Sequence, residues 1–434
     1  MDVPSSKRRT AAEAASLLLP RDTLGLPLGP GIPPALLTAL GEREDFEELT
    51  VFAALLMGLF KVFTRPGIHL RSGFFGPVER GLRGAGHDVQ FVPADFRRFT
   101  RILESLRPRV MGTVATPPDE RGTMSLSLHA GATTHELRAA GQDPDRVLIV
   151  EVNPALPRTV GLEPEAPHAL HVDLADVIIE APGPLPVVPD SGGGEVEERI
   201  ASHIAPFVAP GSTLQTGIGG IPSQVVAALA AGPGGDYGVH SEMFTTGLME
   251  LHRAGKVSNA HKGLYEGFSV TTFAGGSEAL YEWLDGNDAV RFLPVEDVNA
   301  PERIAANRNM VCINGALALD LAGQVVADTR GGEQYSGIGG HEDFTGGPGL
   351  ENSDRSFICL PSTARVGGRV ISRISAVLDP GALVTSPRHQ LDAVVTEYGV
   401  AELQGLTVAE RAAALIGIAH PDFRDALKAG VRTT

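Results

Sequence analysis

Cysteine is scarce in this chain of 434 residues, which has only Cys312 and Cys359. Two thiols cannot build a disulfide framework or a cysteine-based zinc site. Each lies in an apolar run (MVCIN and FICLP) that reads as a buried strand, so both are expected to be core thiols. Positive charge is also in deficit: 36 Lys and Arg stand against 52 Asp and Glu, a formal net charge of −16. That balance argues against a general nucleic-acid or anionic-membrane binder, which needs a broad basic surface. No uncharged apolar run approaches the roughly 18 residues that span a bilayer. The longest, around Val51 to Leu59, is short and is followed by Lys61 and Arg65. The start, MDVPSSKRRT, is basic but has no apolar stretch behind it, unlike a secretory signal. The expectation is a soluble protein of a reducing compartment, the cytoplasm.

What the chain does have is an ordinary globular mixture, 43% hydrophobic and 20% charged, punctuated by 52 Gly and 32 Pro without a period. Short apolar runs recur at Arg146–Val152, Asp176–Glu180, Asn309–Ile313, Ser356–Leu360 and Asp392–Thr396. They read as strands buried on both faces. Helical patterns separate them at Ala11–Leu18, Pro33–Leu40, Phe96–Leu106, Ser223–Ala230 and Val408–Ile418, which predicts an α/β fold with mostly parallel sheets. The densest Pro, Ser and Gly composition, Pro182 to Gly194, suits an inter-domain linker. It divides the chain into domains 1–189 and 190–434, with the cleft between them as the default ligand site.

Three segments carry side chains or backbone suited to chemistry. In STLQTGIGGIPSQVVAALAAG, an apolar strand runs into Gly217, Gly219 and Gly220, and a helix follows. Such a turn is either simply tight or a place where backbone N–H groups approach a phosphate or carbonyl. A dinucleotide reading is weaker, because the acidic residue wanted about 20 positions on is represented only by Asp236 and Glu242. In YGVHSEMFTTG, an extended Gly238–Glu242 would put His240 and Glu242 on one face. Glu242 then reads as an exposed strand-end carboxylate or as a nucleophile or base at a sheet edge. His240 reads equally as a hydrogen-bonded core histidine. In YSGIGGHEDFTGG, His341, Glu342 and Asp343 lack a second cluster at ligand spacing, so no metal is expected. The charged residues suit a solvated loop, while Gly339 and Gly340 offer backbone donors to an oxyanion. Arg365 reads as a phosphate contact or as an ordinary surface arginine.

Taken in order, the motifs PPDERGTMSLS, VNPALPRTVG, GIGGIP, GVHSEMF, INGALALDLAGQV, YSGIGGHEDF, PSTAR, VTEYGVAELQG and IAHPDFR resemble those of the acetyl-CoA hydrolase/transferase family. The resemblance runs from about residue 10 to the C-terminus. It implies two related open α/β domains with the active site between them. It also implies that Glu242 is the nucleophile, converted in turnover to a glutamyl-CoA thioester. Gly217, Ile218, Gly219, Gly220, Ile221, Leu317, Gly340 and Arg365 would contact CoA, with Gly339, His240 and His341 as oxyanion or positioning residues. The sequence departs from the family's pattern at Ser241, usually Thr, at His341, usually Gln, and at Arg365, usually Lys.

The implied activity is CoA transfer between an acyl-CoA and a short carboxylic acid. Acyl-CoA is then a substrate, and neither a resident cofactor nor a metal is needed. Acyl-CoA hydrolysis on the same scaffold is the alternative, and a non-catalytic CoA- or nucleotide-binding protein is a third reading. The expected partners are small molecules, without nucleic acid or membrane, and the expected assembly is a homo-oligomer such as a dimer.

Overall fold

A computed structural model describes residues 3–189, 192–348 and 353–431. By packing, the chain falls into two units, one of Met1–Val188 with Val270–Val298, the other of Pro189–Ser269 with Asn299–Thr434. A single cut at residue 190 does not provide for the segment Val270–Val298, which packs with the first unit. Among its described residues, the Pro182–Gly194 stretch has no helix or strand. Its first part is nevertheless held in place: Gly183 O accepts from Asn153 Nδ2 at 3.0 Å and Pro186 O from Tyr281 Oη at 2.7 Å.

The first unit is built on β1 (Arg21–Leu28), β2 (Glu48–Ala54), β3 (Ile68–Ser72), β4 (Val89–Phe91), β5 (Val110–Ala115), β6 (Val147–Val152) and β7 (Val177–Glu180). They lie in the order β4-β3-β2-β1-β5-β6-β7, and every pair is parallel. The apolar runs are continuous because both faces are covered. Ile149 packs in a core with Leu36, Leu37 and Leu40 of helix α1 (Pro34–Gly41). Its neighbours Leu148 and Val150 pack in a second core with Leu137 and Ala140 of helix α2 (Thr134–Gln142). Glu151, buried in β6, accepts from the Ala35 and Leu36 amides at 2.9 and 3.1 Å and so fastens the start of α1.

The second unit has β8 (Thr213–Thr216), β9 (Gly238–Val239), β10 (Met310–Gly315), β11 (Arg355–Cys359), β12 (Ala393–Thr396) and β13 (Gly399–Glu402), ordered β9-β8-β10-β11-β12-β13. All pairs are parallel except the β12–β13 hairpin. Leu214, Val311, Ile313, Phe357 and Val395 pack on one face with Ile200 and Ile204 of α3 (Glu195–Ile204) and Val225 and Leu229 of α4 (Gly220–Ala231). On the other face, Ile358 and Val394 pack with Leu415 and Ile416 of a helix at Val408–Gly417. Each such buried aliphatic side chain stabilises by about 1.5–3 kcal/mol. Cys312 and Cys359 are both buried and unpaired with each other.

Candidate functional site

Four of the segments singled out in the sequence leave the C-terminal ends of neighbouring parallel strands. β8 runs into Gly217–Ile221, β9 into Glu242, β10 into Leu317 and β11 into the hairpin bearing Arg365. In open parallel sheets this edge is where ligands bind, since helix starts and strand-exit loops crowd there. The Gly-rich turn is short because α4 begins at Gly220, earlier than the sequence pattern suggested. Gly219 has φ of +121°, a conformation side chains rarely adopt. Ile218 is the exposed tip of this turn.

Glu242 lies in a bend rather than in a strand, because β9 ends at Val239. The bend is pinned from behind. The His240 amide donates to Leu214 O at 3.0 Å, and Ser241 Oγ donates to Thr216 O at 3.0 Å. Strand alternation therefore does not govern where His240 and Glu242 point. His240 is fully buried, its ring stacked 6.3 Å from Tyr265 and tilted 6.4 Å from Phe344. That is the packing of a core histidine.

Two residues that the sequence reading did not assign complete the surroundings of Glu242. Asn299 Nδ2 donates to Glu242 Oε2 at 2.6 Å and to Asp343 Oδ2 at 2.9 Å, so one amide bridges two carboxylates. Asn299 carried no local signal, being a polar residue just before the Pro-led helix Pro301–Ala305. Asp343, read as part of a solvated loop, is buried instead, whereas its neighbour Glu342 accepts from Ser386 Oγ at 2.7 Å.

Gly340 precedes the short helix α5 (His341–Gly346) and lies directly against the carboxyl. A Cβ there would overlap Glu242 Oε2 and come within 2.7 Å of Asn299 Nδ2. Gly339, before it, has φ of +56°. Burial pushes the Glu242 pKa up to about 8, with Asp343's charge adding to the rise and Asn299's hydrogen bond opposing it. The fold thus favours the protonated form of Glu242 more than water does for an ordinary carboxyl. His341 is pulled down to about 4, chiefly by burial, and is neutral. Its Nε2 is enclosed with no hydrogen-bond partner among the described residues. Leu317 donates its amide to Val326 O at 2.8 Å, and Arg365 is exposed on the hairpin Thr363–Val366/Arg369–Ser372.

Residues 276–431 match the model of the acetyl-CoA hydrolase/transferase C-terminal domain. The chain is 38% identical to succinyl-CoA:cyclohexane-1-carboxylate CoA transferase of Geobacter metallireducens, over 97% of this chain and 94% of that one. It is 35% identical to 4-hydroxybutyrate coenzyme A transferase of Clostridium kluyveri, over 98% and 97%. The chain belongs to the acetyl-CoA hydrolase/transferase family. RipA from Yersinia pestis superposes with a TM-score of 0.90 at 34% identity, covering 99% of this chain and 98% of the other. A 28% identical relative, over 76% of this chain and 67% of its own length, is the acetyl-CoA hydrolase of Neurospora crassa. Of the positions expected to differ from the family's pattern, Ser241 supplies the hydroxyl that anchors the bend, and His341 follows the glycine that touches Glu242.

No cluster of three metal-ligating side chains occurs among the described residues, and no helix among them is long and apolar enough to cross a membrane.

Proposed function

We propose that this protein is a CoA-transferase that moves CoA between an acyl-CoA and a carboxylic acid through a glutamyl-CoA thioester on Glu242. The carrying observation is a carboxylate beyond the C-terminal ends of β8 and β9, held through one oxygen by Asn299 and enclosed by Gly340. Full-length relatives named as CoA-transferases support it.

In this reading Oε2 keeps its hydrogen bond from Asn299, and Oε1 is the attacking oxygen. Once deprotonated, it attacks the thioester carbonyl, and the tetrahedral adduct collapses by expelling CoA thiolate, leaving an acyl-glutamyl anhydride. The thiolate then attacks the glutamyl carbonyl and displaces the first carboxylate, so Glu242 becomes the CoA thioester. A second carboxylate attacks that thioester and expels the thiolate, which takes up the new acyl group and releases Glu242. Bonds made and broken balance, and the thioester's energy is conserved without ATP. When the thiolate adds to the glutamyl carbonyl, negative charge builds on Oε2, where the Asn299 amide already points. Gly217–Ile221, Leu317, Gly340 and Arg365 are the proposed CoA contacts, Arg365 through charge-assisted bonds to phosphate. Gly339 and His341 are proposed as positioning residues beside them, and His240 as one behind Glu242, through its ring packing and the backbone hydrogen bond that pins the bend.

The test is intact-protein mass spectrometry after incubation with acyl-CoA alone. The expected result is an added mass equal to CoA on the Glu242 peptide, discharged by a second carboxylate into a new acyl-CoA. The hydrolase relative supports one alternative, in which water ends the same cycle. Rapid release of free CoA, unaffected by any acceptor acid, would establish it instead.

A further inference from the structure

Among the described residues, β9, which leads into Ser241 and Glu242, is an edge strand with β8 as its only neighbour in the sheet. The Gly238 and His240 amides point to β8, donating to Ser212 O at 2.9 Å and Leu214 O at 3.0 Å. Successive residues of an extended chain aim their backbone groups to opposite sides, so Val239 directs its N–H and C=O away from β8. The segment that follows helix Thr246–Arg253 begins to pair there, with an isolated parallel bridge between Tyr237 and Val257. It then turns off at Asn259, whose φ is +56°.

Two side chains continue where that backbone leaves. Asn259 Oδ1 accepts from the Val239 amide at 2.9 Å, and Lys262 Nζ donates to Val239 O at 2.8 Å. Lys262 is fully buried, and its Nζ also donates to Phe268 O at 2.7 Å. Its aliphatic stem lies against Gly238, where a Cβ would overlap Cγ and sit 3.0 Å from Cδ. Asn259 is held in turn by Nδ2, which donates to Ser269 Oγ at 3.1 Å. Burial pulls the Lys262 pKa down to about 7, and a neutral amine carries two protons, matching the two carbonyls it meets.

We propose that Lys262 is a positioning residue for Glu242: with Asn259 it takes the place of a missing strand along β9 and fixes the backbone from which the Glu242 bend departs. This rests on Glu242 being the nucleophile. A packing role alone would need only an apolar side chain of this length. Holding the Val239 carbonyl needs the amine, and a loss of about 1 Å in nucleophile placement lowers a rate by about 100-fold.

The test is Lys262→Met, which keeps the stem and removes both hydrogen bonds, with Asn259→Leu as the matching change on the amide side. In folded protein, each is expected to lower kcat, and the single-turnover rate of CoA adduct formation at Glu242, by roughly tenfold or more. The KM for acyl-CoA should stay within about twofold, since the CoA contacts are elsewhere. Should Lys262→Met fail to fold cooperatively, Asn259→Leu decides alone. A folded variant that forms the adduct at the wild-type rate, or that loses only KM, overturns the positioning role. Wild-type turnover without any adduct at Glu242 overturns the nucleophile reading instead, and this inference with it.

Discussion

Replacing Glu242 with Gln should abolish turnover and at the same time stabilise the protein in alkaline solution. The folded-state pKa of about 8 lies above the ordinary 4.5, so folding favours the protonated carboxyl. The stability that this provides is present in full below pH 4.5 and is lost as the pH rises through about 8. At about 1.4 kcal/mol per pH unit, ionising Glu242 in the fold would cost at most roughly 5 kcal/mol. The side chain keeps some contact with solvent, and screening reduces that to roughly 2–4 kcal/mol. A glutamine never ionises, retains an oxygen to accept from Asn299, and relieves the repulsion from Asp343.

Denaturant unfolding of wild type and Glu242→Gln at pH 5 and pH 9 checks this, because the difference between the proteins cancels other titrating groups such as Glu151 and Lys262. The variant should lie within about 1 kcal/mol of wild type at pH 5 and roughly 2–4 kcal/mol above it at pH 9, a Tm gain of roughly 2–4 °C for a chain of this length. In the same preparations kcat should fall by at least roughly 10^4-fold. A variant no more stable than wild type at pH 9 would refute the buried, proton-holding carboxyl. Substantial turnover by the folded variant would refute the nucleophile.

The wild-type kcat/KM for acyl-CoA should rise from pH 6.5 through a midpoint near pH 8 toward a plateau above about pH 9 as Glu242 loses its proton, and a profile flat over that range would count against the raised pKa. Asn299→Asp should move that rise to higher pH and lower stability at pH 8 by roughly 2–4 kcal/mol, because a third carboxyl would face the other two; pH-rate and denaturation curves report both. Gly340→Ala should cost about 1–3 kcal/mol and reduce kcat far more than it raises KM, since the new methyl displaces the Glu242 carboxyl. Arg365→Ala should raise the KM for acyl-CoA by roughly 3- to 10-fold with kcat nearly unchanged, and dephospho-CoA thioesters would show which phosphate it reads.

The sequence alone determined the α/β class, the places of β6, β7, β8, β10, β11 and β12, and the carboxylate of interest, while β1 to β5 were not among the strands it marked. These signals are local. A strand covered on both faces, such as Val147–Val152 or Arg355–Cys359, must be apolar at every successive position, and a turn that needs Gly219 shows its glycine. The family motifs then linked segments that periodicity alone could not. Tertiary structure decided the rest. Asn299 and Asp343 lie 57 and 101 positions beyond Glu242, and a hydrogen bond formed at such separation leaves no pattern in the residues around either partner. The same holds for Val270–Val298, whose packing with the first unit depends on contacts made after the chain has returned. Lys262 carries no signal in its neighbouring residues, because its place is set by β9 being an edge strand with a carbonyl to satisfy. The raised pKa of Glu242 is likewise a property of enclosure by distant atoms, because desolvation depends on what surrounds a carboxyl in space and not on its neighbours along the chain.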